Sequence, residues 1–147
     1  MEVLERRDIV GARRKGRELA VQMLYQWELS EEPIAKVQES FWRLGDASAE
    51  SRSLSRRLVE GTVAHLEEID SLLSRHAQHW RLPRMATVDR NILRLAIYEL
   101  LYEEVPKRVV INEALEVTKK FSSPEAVLFV NGILDAVRQS IEAREAR

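Results

Sequence analysis

Apolar residues along this chain recur at steps of three and four, the spacing of helices that bury one face. No stretch alternates apolar and polar residues long enough to make a convincing strand. The pattern divides into six or seven helical segments, punctuated at Glu31-Glu32-Pro33, Gly45-Asp46, Leu82-Pro83, Val105-Pro106 and Ser122-Ser123-Pro124. In the first segment Ala20, Met23, Leu24 and Trp27 form a core face and leave Tyr25 outside it. Residues 87–103 open with Thr87 as N-cap and Asp89 in the first turn, where an acid complements the helix dipole. Ile92, Leu93, Leu95, Ala96, Ile97, Leu100 and Leu101 then surround much of that helix, so it is expected to be the central, most buried one. Asp89, Arg90, Arg94 and Tyr98 interrupt the apolar surface, and two readings fit them equally: internal ion pairing, or an edge that meets a partner protein.

Residues 121–135 carry the most information. Ser123 is a good N-cap and Pro124 a good first helical residue. Val127, Val130, Leu134, Val137 and Ile141 follow as one buried stripe that runs through Asn131-Gly132 without a change of phase, which places that pair inside the helix. A helical Gly costs roughly 1 kcal/mol relative to Ala, so Gly132 predicts a close approach by another backbone or a ligand. Glu125 and Phe129 share a side of this helix away from the middle of the stripe.

Composition sharpens this all-α picture. With 147 residues, 45% of them hydrophobic, the chain suits one well-buried core, and only five glycines and four prolines favour helix. A single compact domain over residues 12–147 is expected, preceded by a flexible polar arm at 1–11, with residues 44–55 as the longest flexible loop. The net charge of −1 hides a local run, Arg13, Arg14, Lys15 and Arg17, with no acid among them. Such a run can neutralise phosphates; in an arbitrary protein it is more often a solvated helix face. Arg14 and Tyr25 lie close to three whole helical turns apart and emerge on one side, so cation and ring together suit single-stranded RNA.

Catalytic signatures are missing. The chain has no cysteine, no GxSxG elbow, no phosphate loop and no dinucleotide fingerprint. His76 and His79 sit three apart beside Trp80 without a third ligand at metal spacing, and His65 reads as structural. No cofactor, metal or catalytic residue is expected. The start lacks the apolar core of a signal peptide and no run is long enough to span a bilayer, which points to a cytoplasmic protein without a membrane role.

Four segments, ARRKGRELAVQMLYQWELS at 12–30, VDRNILRLAIYELLY at 88–102, VPKRVVINEALEVTKKF at 105–121 and FVNGILD at 129–135, resemble in order and spacing the NusB family of bacterial transcription antitermination factors. The resemblance covers nearly the whole chain apart from Pro33 to Ser55. It implies two packed three-helix bundles and a non-enzymatic protein that binds the boxA element of ribosomal RNA leader transcripts. The expected partner is NusE, a small-subunit ribosomal protein, and the pair joins the other Nus factors on RNA polymerase. By position, the resemblance implies RNA contacts at Arg13, Arg14, Lys15, Arg17, Tyr25, Glu125 and Phe129, and a NusE-facing edge at Asp89, Arg90 and Arg94. Gly16 within the basic run and Leu128, where a polar or basic group is expected, depart from the family pattern. Members occur as monomers and as homodimers. Two other readings stay open: the related module of ribosomal RNA cytosine methyltransferases, and a helical homodimer that masks its RNA site.

Overall fold

The computed structural model describes residues 2–77 and 82–147, with side chains from residue 11 onward; His79 and Trp80 lie outside the described residues. Among those described, seven α-helices and one short 3₁₀ turn account for the regular structure. They are α1 (Glu2–Ser30), α2 (Ile34–Leu44), α3 (Ala49–Ala64), α4 (Leu66–His76), the turn at Leu82–Arg84, α5 (Thr87–Tyr102), α6 (Lys107–Phe121) and α7 (Pro124–Glu145). The all-α expectation holds. The chain divides into two compact units, residues 1–63 and 64–147.

In the first unit α1 packs on α2, and Ala20, Met23 and Leu24 are fully buried on the face their spacing predicts. The backbone of α1 is helical from Glu2, through the stretch read as an arm. The long loop expected at 44–55 is short instead. Asp46 accepts its neighbour's amide at Ala47 (2.8 Å), Ser48 Oγ accepts the Ser51 N–H (3.1 Å), and α3 is under way by Ala49. A serine that satisfies an unpaired first-turn amide converts a polar, small-residue stretch into a helix start.

The second unit packs α5 against α4, α6 and α7, and every residue from Asn91 to Leu100 is buried. This is the central helix the pattern predicts. It starts one residue earlier than read, with Ala86 as N-cap, no side-chain cap, and Thr87 as the first helical residue. At α7 Ser123 does cap, accepting the Ala126 N–H at 3.2 Å with Pro124 next to it. Val130, Leu134, Val137 and Ile141 are buried and Val127 is half-buried. Gly132 is helical and exposed, yet a Cβ built on it meets nothing within 4 Å, so no neighbouring backbone explains it.

The polar residues of α5 are largely satisfied within the unit. Arg94, only 8% exposed, meets Asp70 of α4 through two parallel bonds, Nε to Oδ1 at 2.8 Å and Nη2 to Oδ2 at 3.0 Å, and donates to Asn91 Oδ1 at 3.2 Å. Paired geometry of this kind is what makes a buried guanidinium tolerable. Arg90 Nη1 donates to the carbonyls of Leu82 (2.6 Å) and Met85 (2.9 Å), which pins the 3₁₀ turn to the start of α5. The His65 ring stacks on Tyr102, centroids 4.1 Å apart, which accounts for His65 structurally.

Candidate functional site

The basic run sits on α1 where that helix presses against α3. A Cβ on Gly16 would lie 3.0 Å from Leu54 Cδ2, 3.2 Å from Leu54 Cβ and 3.2 Å from the Ser51 carbonyl oxygen. Ser51 Oγ adds a hydrogen bond to the Ala12 carbonyl at 2.7 Å. The glycine that interrupts the run therefore lets α1 approach α3 closely, and the cations around it are carried on a braced helix. Lys15 is exposed, Arg13 and Arg14 are half-buried, and Arg17 is only 4% exposed. Tyr25, further along α1, is 40% exposed, as its position off the core face predicts.

A cavity of about 440 Å³ opens in the second unit, lined among others by Arg84, Met85, Ala86, Asp89, Glu125 and Phe129. Asp89 comes from the first turn of α5, while Glu125 and Phe129 come from the first turns of α7. The link between α6 and α7 brings them together: Ser122 Oγ donates to Asp89 Oδ1 at 2.6 Å. Residues that the resemblance assigned to two different ligands thus line one cavity. Glu125 is exposed, Phe129 and Asp89 are half-buried, and Leu128 beside them is 77% exposed. The wall at Arg84 to Ala86 went unnoticed in the sequence; its signal was the Leu82-Pro83 break directly before α5. Arg90 and Arg94, grouped with Asp89 in the sequence, point their donors at internal acceptors as described above.

The arrangement offers no acid–base pair or nucleophile. Among the described residues no group of three or more His, Asp or Glu could hold a metal ion, and no helix is long and apolar enough to cross a membrane. What it does offer is cations on a firm helix, an exposed tyrosine, and a cavity that combines a ring with two carboxylates and an arginine.

The sequence profile of the NusB family matches residues 14–139. The chain belongs to the NusB family. It is 46% identical over 139 residues to a transcription antitermination protein NusB from Koribacter versatilis, an alignment that spans 93% of this chain and 95% of that relative. Among solved structures, NusB from T. maritima superposes with a TM-score of 0.78 at 36% identity, covering 86% of this chain and 90% of the other. A crystal structure of the antitermination factors NusB and NusE in complex with double-stranded RNA superposes with a TM-score of 0.80 at 28% identity. There the match covers 88% of this chain and 97% of the other. Over nearly the whole of both chains, this NusB-family chain shares the fold of these solved NusB structures.

Proposed function

We propose that this NusB-family chain is a non-enzymatic transcription antitermination factor that binds RNA together with NusE and acts in the cytoplasm on the transcribing RNA polymerase with other Nus factors. The RNA is the single-stranded boxA element of ribosomal RNA leader transcripts. The observation that carries this reading is the likeness, over nearly all of both chains, to a NusB solved with NusE and double-stranded RNA, which supports an RNA-binding partner of NusE. The methyltransferase alternative is not favoured, since the chain and its curated antitermination relative match over 95% of the relative's length.

Each unit supplies its own contacts. On α1, Arg13, Arg14 and Lys15 neutralise phosphates, and Tyr25 stacks on a base. Arg17, only 4% exposed, has little surface left for an RNA contact. In the second unit Phe129 supplies a ring and Glu125 an acceptor for base amino groups, while Asp89 faces NusE. With Arg90 and Arg94 turned inward, the charge of the NusE edge rests on Asp89.

Fluorescence anisotropy of a labelled boxA-type RNA tests the reading, with and without NusE, at two salt concentrations and against scrambled and duplex controls. Binding should tighten with NusE and depend on sequence. Arg14→Ala should weaken binding and flatten its salt dependence, because one fewer counterion is released. Asp89→Asn keeps an oxygen for Ser122 while removing the charge, so it should weaken NusE binding in a protein that stays folded. Equal, weak binding to boxA-type and scrambled RNA, unchanged by NusE, would overturn the proposal.

A further inference from the structure

A second cavity, of about 420 Å³, lies wholly within the first unit and shares only Lys15 with the contacts above. Its size falls within the roughly 300–1,000 Å³ of small-molecule sites. One wall is a row on α1, Lys15, Leu19, Gln22 and Gln26, whose spacing of four, three and four residues keeps them on one helical face. The opposite wall is the end of α2, with Phe41, Trp42 and Leu44. The two rings meet edge to face at 5.1 Å between centroids, and Leu44 is 94% exposed.

Three chemistries converge here: aromatic surface, side-chain amides, and a cation that belongs to the basic run. Asp46 at the rim adds a carboxylate, partly offset by Arg52 Nη1 at 3.6 Å. We propose that this cavity is a nucleobase subsite of the bound RNA. A base stacks against the Phe41–Trp42 wall, Gln22 and Gln26 hydrogen-bond its edge, Asp46 accepts from an N–H on that edge, and Lys15 holds the adjoining phosphate. Stacking plus edge hydrogen bonds is how splayed single-stranded bases are held. A second copy of the chain is the poorer occupant, because Lys15 and Asp46 are charged residues of the kind depleted from the core of a protein interface. The assignment rests on the RNA-binding reading and extends it by one nucleotide position beyond the arginines.

The test uses the full chain with NusE and a set of boxA-type single strands, each carrying 4-thiouridine at one position. Cross-linking followed by mass spectrometry should map one position to the peptide spanning residues 40–46. Trp42→Ala should weaken RNA binding about tenfold, and the loss should vanish when that nucleotide is abasic. Trp42→Phe keeps a ring and should bind nearly as wild type. Gln22→Ala/Gln26→Ala, on the helix surface, gives a second measure should Trp42→Ala fail to fold. If the wild type binds RNA but the cross-links fall elsewhere and the glutamine variant binds unchanged, the subsite is wrong while the RNA reading stands. If the wild type binds no RNA, both fail. A concentration-dependent doubling of mass that Leu44→Glu abolishes, with RNA binding intact, would give the cavity to a second copy and overturn the proposal.

Discussion

Arg94 decides between two meanings of a buried cation, and its replacement separates them. The guanidinium is 91% removed from solvent at the side chain, with Asp70 across from it at 28% exposure. Removing one partner of a buried pair costs roughly 3–5 kcal/mol, because the survivor stays charged and poorly solvated. The two survivors differ here. Arg94→Met leaves Asp70, which water still reaches, so the cost should fall near or below the bottom of that range, about 2–3 kcal/mol. Asp70→Leu leaves the guanidinium buried with Asn91 as a neutral acceptor, and should cost about 3–4 kcal/mol. The double variant Arg94→Met/Asp70→Leu removes both charges and should recover much of the loss, since apolar replacement of a buried pair is often neutral. Losses of this size are a large share of the roughly 5–15 kcal/mol that holds a domain folded. Urea unfolding followed by far-ultraviolet circular dichroism reads all three variants. A wild-type midpoint for Arg94→Met, combined with lost NusE binding, would refute the reasoning and restore Arg94 to the partner edge.

Other substitutions carry opposite signs for stated reasons. Gly132→Ala meets open space on an exposed helical face and should stabilise by up to about 1 kcal/mol. Gly16→Ala gains the same propensity but drives a methyl against Leu54 and the Ser51 carbonyl, so overpacking of roughly 1–3 kcal/mol should win; thermal melts compare the two, and equal shifts would contradict the packing at Gly16. Ser122→Ala removes the tie to Asp89 and should cost about 1–2 kcal/mol, read by the same melts. Burial, and then the neighbouring Arg75, hold His76 below its ordinary value of 6.5. The unfolded chain therefore takes up this proton first, so the stability involved is fully present above pH 6.5 and is lost as pH falls through the lowered folded value. An NMR titration midpoint for His76 at or above 6.5 would contradict this.

Local rules were legible wherever a neighbour in sequence does the work. Ser123 and Pro124 start α7 for reasons contained in two residues, and the stripe from Val130 to Ile141 is buried because a single helix has a single period. Readings failed in two ways: Ser48, three residues before Ser51, is a local helix start hidden in a stretch whose composition reads as loop, whereas Asp70, on another helix, turns Arg94 from a candidate contact into an internal tie. Gly132 and Gly16 make the same point in opposite directions. Both weaken a helix on paper; only Gly16 has Leu54 and Ser51 against it, and only there does the missing side chain answer to a neighbour. The site follows the same division. Helical phase alone puts Tyr25 and Phe129 off their core faces, but the meeting of Phe129 with Asp89 depends on the Ser122 hydroxyl and the turn that carries it. A change in that link would separate the ring from the carboxylate without altering either residue, so the geometry of the cavity is encoded as much in residues 122–123 as in the side chains that line it.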